Sequence, residues 1–346
     1  MISVGVFTNL KSGKNRLDIQ RYGQSKRLKK CRSIIGNEGE VYVTGDSEDY
    51  MLDLENKVTQ ACRDKPDVVA IDGGDWTIST VLTMLEKHWQ EDELPPVALL
   101  GGGTFNNLPK RMDIKKPFEY LQNIVDSEEL NDLTVQGIKM MRVNDDSSHE
   151  HLSFSTGVGF PVELLEEIYR KKHLKYFWIA TMTLRAVGSA IVNGDYCQKF
   201  NKKQRMVVTG EGNGGELYKE DKWLGLVAQS IESLGIPKYL PQPRIFRKAE
   251  SEGRFHAIGT TLDFRELLMY MPAIYAGKSV QYRDSLTDEF HSVLSLNKQL
   301  KSIKIQSEEL FKYQSCGELS YGDKPFKTRE LYIDAGKSID FIKDDS

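Results

Sequence analysis

The chain has 346 residues, 39% hydrophobic and 28% charged, which excludes a disordered or fibrous protein and is long enough to expect two domains. A net charge of −3 gives no global drive toward nucleic acid, so any anion or membrane binding must come from local patches. Cys31, Cys62, Cys197 and Cys316 are widely spaced without a CxxC, which excludes a zinc motif and a dense disulfide framework and suits a reducing cytosol.

The chain opens on Ile2-Ser3-Val4-Gly5-Val6-Phe7, branched and alternating like a first strand. It lacks the basic start and long apolar core of a signal peptide, so a cytoplasmic location is expected. The first third then alternates short apolar runs with helical spacing. Val4–Phe7, Val41–Val43, Val68–Ile71 and Val97–Leu100 read as strands. Met51, Leu54 and Val58 repeat at helical spacing, as do Ile78, Val81, Leu82, Leu85 and Trp89. This alternation predicts a layered α/β domain with a mostly parallel sheet.

A polar run, Asp126-Ser127-Glu128-Glu129-Leu130-Asn131-Asp132, marks the expected boundary, giving domains 1–132 and 133–346. Beyond it the strand-like runs are Leu133–Val143, His151–Thr156, Arg205–Thr209, Leu224–Val227, Phe255–Thr261, Ser302–Ile305 and Leu331–Ile333. Glycine and polar turns separate them, so a β-rich second domain is predicted, with helical segments at Val162–Val192 and Thr261–Tyr270. His149 and His151 form an isolated pair on a polar stretch. No stretch reaches the roughly 18 apolar residues of a membrane span. Tyr176–Val192 comes nearest but is broken by Thr181, Thr183, Arg185 and Ser189, and reads as a buried or interfacial helix.

Three segments of the first domain carry the chemistry. Asn9-Leu10-Lys11-Ser12-Gly13-Lys14 follows the first strand, with small and amide side chains and two lysines. Val69-Ala70-Ile71-Asp72-Gly73-Gly74-Asp75-Trp76-Thr77 is a buried strand ending in two glycines, a carboxylate and a helix start. Gly101-Gly102-Gly103-Thr104-Phe105-Asn106-Asn107-Leu108 follows the fourth strand. Glycines permit close backbone approach, while free N–H groups and a helix dipole favour an anion. Each could be a tight βα turn alone; three polar, small turns at three strand ends point to a phosphate site, since ligands in open α/β sheets bind beyond the carboxyl ends of the strands.

These segments resemble the diacylglycerol kinase catalytic family, which includes sphingosine kinases and, more distantly, NAD kinases. Its Asn-Pro-x-Ser-Gly loop matches Asn9, Ser12 and Gly13. Its Gly-Gly-Asp-Gly-Thr signature matches Gly73, Gly74, Asp75 and Thr77. Its Pro-x-Gly-Thr-x-Asn-Asp-Phe loop matches Gly103, Thr104 and Asn106, with Asn107 in place of Asp. More loosely, Ser155-Thr156-Gly157-Val158-Gly159-Phe160 resembles the family's Gly-x-Gly-Phe strand end, and Glu252-Gly253-Arg254-Phe255 its Asp-Gly-x-Leu turn.

The resemblance implies an NAD-kinase-like N-terminal α/β domain followed by a C-terminal β-sandwich, with ATP in the cleft between them and a lipid hydroxyl as acceptor. It implies that Asn9, Ser12, Gly13, Gly73, Gly74, Thr77, Gly103, Thr104 and Asn106 hold the nucleotide. Asp75 and Glu252 would serve Mg²⁺. Asp75 and Asp323 would be catalytic. Phosphoryl transfer is mostly positioning and charge neutralisation, so glycine loops and one or two carboxylates suffice.

The chain also departs from the family pattern. Besides Asn107, Trp76 replaces a glycine that either lets the nucleotide approach or takes a φ that a bulky residue tolerates poorly. Ser79-Thr80 stands where the family often has Asn-Glu. Tyr321-Gly322-Asp323 aligns with the Asp-Gly-Glu turn that supplies a general base; a tyrosine, with a pKa near ~10, is a poor base, and Asp323 is the substitute.

The remaining motifs read as turns or surface. Gly210–Gly215 satisfies GxGxxG, but the charged Glu216–Lys222 that follows is non-periodic and predicts a flexible hairpin. Gly277-Lys278-Ser279 and Gly336-Lys337-Ser338 lack the first glycine of a Walker motif and read as turns. Arg170-Lys171-Lys172-His173-Leu174-Lys175 followed by Tyr176-Phe177-Trp178 offers either a solvated helix face or a peripheral contact with an anionic membrane. The expectation is therefore an ATP- and Mg²⁺-dependent lipid kinase acting at a membrane surface. The alternatives are a catalytically impaired nucleotide- or lipid-binding member of the same fold, or an NAD kinase.

Overall fold

The computed structural model describes residues 2–91, 93–103, 106–170, 189, 194–212, 215–231, 253–276, 278–283, 289–321 and 324–344. Among these, one unit holds residues 2–140 and 337–344, and a second holds 141–231 and 253–336. The division falls inside a strand rather than in the polar run 126–132, and the C-terminal residues belong to the first unit.

The first unit runs β1 (Val4–Asn9), α1 (Gly13–Tyr22), α2 (Lys26–Ile35), β2 (Gly39–Thr44), α3 (Tyr50–Asp64), β3 (Val68–Asp72), α4 (Asp75–His88), β4 (Val97–Leu99), α5 (Asn107–Arg111), α6 (Pro117–Asp126) and the start of β5 (Val135–Asp145). The sheet order is β4-β3-β1-β2, all parallel, and the end of the chain's last strand adds beside β4 through Phe341 and Val97. All six residues of β1 and all five of β3 are buried, as expected for a parallel sheet covered on both faces. Strand alternation divides them: Val4, Val6, Val68, Ala70, Ala98 and Leu100 share one core with Cys31 and Ile35 of α2 and Tyr120, Leu121 and Ile124 of α6.

Local sequence explains the helix ends. Ser25 caps α2 by accepting from the Leu28 N–H at 3.0 Å, and Asp49 caps α3 by accepting from Met51 and Leu52. α1 stops at Gly23, whose φ of 71° favours glycine. Pro117 occupies the first turn of α6, where its missing N–H costs nothing.

The second unit is the expected β-rich one. It comprises the end of β5, β6 (Glu150–Ser153), β7 (Ser155–Gly159), α7 (Phe160–Arg170), α8 (Asp195–Phe200), β8 (Gln204–Gly212), β9 (Gly215–Trp223), β10 (Gly225–Gln229), β11 (Phe255–Thr260), α9 (Phe264–Tyr275), β12 (Gln281–Arg283), β13 (Phe290–Ser292), β14 (Leu296–Ser315), β15 (Ser320–Tyr321), β16 (Lys324–Pro325) and the start of β17 (Lys327–Ile342). Strands β7, β10, β11 and β14 pair antiparallel in a closed circuit, because the 20-residue β14 reaches β11 with one end and β7 with the other. α8 and α9 close a satellite core around Phe200, Leu224, Phe264 and Val293.

The hairpin expected after Gly210–Gly215 is present: residues 216–222 lie in strand β9, paired with β8 from Gln204↔Trp223 to Gly212↔Gly215. Most of the strand is solvent-accessible, which accounts for its charged, non-periodic sequence. One expectation changes here. Gly336-Lys337-Ser338 is not a turn but the middle of β17, at the point where the chain passes from the second unit to the first.

Candidate functional site

The three glycine and amide loops lie at the carboxyl ends of β1, β3 and β4, adjacent parallel strands, and side chains join them into one assembly. Asn9 is the hub. Its Oδ1 accepts from the Lys11 N–H at 2.9 Å and its Nδ2 donates to Thr77 Oγ1 at 2.8 Å and Tyr50 OH at 3.1 Å. Gly73 permits the close seat of Thr77, since a Cβ there would overlap the threonine side chain.

The second and third loops meet glycine to glycine: a Cβ on Gly103 would overlap the Cα of Gly74. The third loop is braced from within, Asn106 Nδ2 donating to the carbonyls of Gly101 and Gly103, both at 3.0 Å. Asn106 holds a left-handed φ of 51°, a conformation asparagine tolerates. Its buried Oδ1 has no hydrogen-bond partner among the described residues. Ser12 begins α1 without capping it, and its Oγ accepts from Asn15 Nδ2 at 3.2 Å; Gly13 is the first helical residue.

Below the loops lies a charged network that sequence patterns do not single out. Arg27 of α2 donates from Nε and Nη2 to Asp72 Oδ1 at 2.9 and 2.5 Å, and from Nη2 to the Leu100 carbonyl at 2.7 Å. Asn15 Nδ2 donates to Asp72 Oδ2 at 3.0 Å. Lys14 reaches the third loop through its N–H to the Gly102 carbonyl at 2.9 Å and its Nζ to the Gly101 carbonyl at 2.8 Å. Burial of the ammonium, together with Arg27, pushes the Lys14 pKa below the usual lysine range. A carboxylate ending an apolar strand, one residue before the glycines, was the available signal for Asp72; Arg27 on its lysine-rich helix offered none.

Asp75 lies in the first turn of α4 and is 6% exposed. Its Oδ2 accepts from the Asn107 N–H and Nδ2, both at 3.0 Å, and its Oδ1 from the Leu108 N–H at 3.4 Å. The carboxyl thus caps α5, and burial pushes its pKa up to about 6. Trp76 sits beside it with a helical backbone, outside the left-handed region, which removes the expected φ penalty. Thr80 is fully buried and bonds back to the Trp76 carbonyl at 2.8 Å. Thr104, Glu252, Asp323 and 171–178 lie outside the described residues. Among the described residues, no group of three or more His, Cys, Asp or Glu could hold a metal ion. His151 is buried in β6 with Nε2 2.8 Å from Ser315 Oγ, not paired with His149 as a ligand.

Residues 3–138 match the family model of the diacylglycerol kinase catalytic domain. The match takes in all three loops and the network beneath them. No curated protein matches the chain at a significant level. Among solved structures, a diacylglycerol kinase from Bacillus anthracis strain Sterne is similar over 99% of this chain and 97% of its own, with a TM-score of 0.55 at 15% identity. Two further structures from the same strain give TM-scores of 0.60 and 0.58, also at 15% identity, covering 99% of this chain and 97% and 99% of theirs. At that identity they show the fold, an α/β domain followed by a β-rich one. Among the described residues, no helix is long and apolar enough to cross a membrane.

Proposed function

We infer that the chain is a lipid kinase that transfers the γ-phosphoryl group of ATP to a hydroxyl of diacylglycerol or a related lipid. The observation that carries this reading is the assembly of three loops at adjacent strand ends, held by Asn9–Thr77, the Gly74–Gly103 contact and Lys14–Gly101. Close glycine backbones, the N-terminus of α4 and the buried Oδ1 of Asn106, which has no partner among the described residues, fit a nucleotide with phosphates and hydrogen-bond donors. When bound, ATP supplies the phosphoryl group. The chain's own part is to fix the phosphates against backbone N–H groups and to exclude competing poses.

Mg²⁺ would enter with the nucleotide phosphates, and Asp75, occupied by three N–H donors, does not fit as its ligand. The lipid acceptor places the enzyme at a membrane surface on its cytoplasmic side, with 170–178 as the contact. A nucleotide-binding member without turnover is the second reading, favoured by Thr80 and by the commitment of Asp75 to α5. Incubation with labelled ATP, Mg²⁺ and mixed vesicles containing diacylglycerol tests the two. Labelled phospholipid is expected; ATP binding without any labelled lipid product would favour the second reading. Added NAD should not compete as acceptor.

A further inference from the structure

We propose that Asp75 is a positioning residue rather than a metal ligand, and that Asn107 makes its hold on the third loop independent of any cation. An ionised carboxylate offers about four lone-pair sites, all acceptors. Three N–H donors from the start of α5 take three of those on Asp75, at 3.0, 3.0 and 3.4 Å. A divalent ion of magnesium size needs oxygens at about 2.0–2.1 Å in near-octahedral array and keeps several waters. The buried carboxyl, with donors converging on it and the charge of Lys110 acting on it, offers no such shell.

The substitution at 107 gives this arrangement its meaning. The resemblance drawn from the sequence puts an aspartate there. Its carboxylate would lie against Asp75 Oδ2 where Asn107 Nδ2 now donates at 3.0 Å. Two carboxylates so close require a proton or a cation between them. The amide of Asn107 replaces that third party with an N–H. Because Asp75 opens α4 and Asn107 opens α5, the bond sets the third loop against the second and keeps Gly103 on Gly74. The proposal rests on the kinase reading only for the nucleotide arm of its test.

Thermal melts of the full chain without nucleotide, with and without Mg²⁺, decide the structural arm. Wild type should melt at the same temperature in both. Asp75→Asn should melt several degrees lower in both. Asn107→Asp should melt lower without Mg²⁺ and regain the loss when Mg²⁺ is added. A Mg²⁺-induced rise in wild type that Asp75→Asn abolishes overturns the proposal; a rise kept in that variant places the cation elsewhere and upholds it. An unchanged Asp75→Asn melt overturns the positioning role. Absence of loss in Asn107→Asp, or a loss Mg²⁺ does not restore, overturns the role of Asn107; if that variant fails to fold, Asp75→Asn decides alone.

Calorimetric titration supplies a readout that a purely structural role leaves unmoved. Asp75→Asn should weaken ATP and Mg²⁺-ATP by the same factor, whereas loss confined to Mg²⁺-ATP would identify a metal ligand. Failure of wild type to bind ATP would sink the kinase reading and leave the melting results standing.

Discussion

In the first unit the buried polar network is charged: Asp72 and Arg27 form an ion pair at 2.5 Å, bonded onward to Asn15 and the Leu100 carbonyl. In the second unit a buried cluster of neutral groups lies among strands, with the Asp145 carboxylate beyond it on Tyr313. His151 meets Ser315, which donates to Ser153 at 2.9 Å; Thr156 and Cys316 join the same hydroxyl. The His151 ring stacks on Phe326 at 5.5 Å. A serine beside a histidine invites comparison with a nucleophile and its base, yet both residues are at most 1% exposed. A charged network ending at glycine loops can orient a ligand. A closed neutral one orients strands.

The largest test of that contrast removes the charge partner. Arg27→Met leaves Asp72 buried without its cation and should cost about 3–5 kcal/mol in urea unfolding. Adding Asp72→Asn should recover much of the loss. A single variant near wild-type stability would mean that the network does not hold the loops. Truncation of Ser315 to alanine, by contrast, should leave ATP binding unchanged.

Two buried titratable groups, one in each unit, also respond to pH with opposite signs. Burial pushes Asp75 up to about 6, so the native state keeps a proton the unfolded chain releases. That stabilisation is full below the unfolded value near ~4 and is lost as pH rises through about 6. Burial pushes His151 down to about 4, with the charge of Asp145 opposing. Its neutral form contributes fully above the unfolded value near ~6.5, and the contribution is lost as pH falls through about 4. Wild type should therefore gain on Asp75→Asn by about 2–3 kcal/mol between pH 7 and 4, and lose about 3 kcal/mol to His151→Phe over the same range. Urea midpoints at the two pH values check this; a common sign would refute one of the two burials.

A smaller effect is expected at the glycine contact. Gly103→Ala should cost about 1–3 kcal/mol by overpacking and weaken ATP binding. Gly74→Ala should cost less, because its Cβ would sit 3.2 Å from the Gly103 Cα. Equal effects in melts and titrations would show that the two loops are not in contact.

The loops were legible because their signal is local: glycines and small polar residues following apolar strands. The bonds that unite them were not. Arg27 and Asp72 are 45 positions apart, and Asp75 and Asn107 are 32. Pairings at such separations depend on how helices cross the sheet, which periodicity does not encode. The β8–β9 hairpin is legible from its glycine turn, whereas the extent of β9 is not, since charged residues on an accessible hairpin lack the apolar alternation of a buried strand. Asp75 shows what motif reading leaves out: the residue type points to phosphate and metal chemistry, and only the fold shows its bonds to Asn107 and Leu108 at the start of α5.

Trp76 offers the finest test, because the family pattern and the backbone give opposite orders for two small substitutions. A glycine position defined by a left-handed φ would favour glycine over alanine. Trp76 instead lies in the first turn of α4, and its carbonyl accepts from Thr80. In a helical backbone glycine is less stable than alanine by roughly 0.5–1 kcal/mol, through the extra freedom it loses on folding. Trp76→Ala should therefore be the more stable of the two variants by that margin, both having lost the same indole contacts. Paired urea titrations resolve the difference. The reverse order would place a turn where α4 begins, and with it a different seat for Asp75 and its hold on α5.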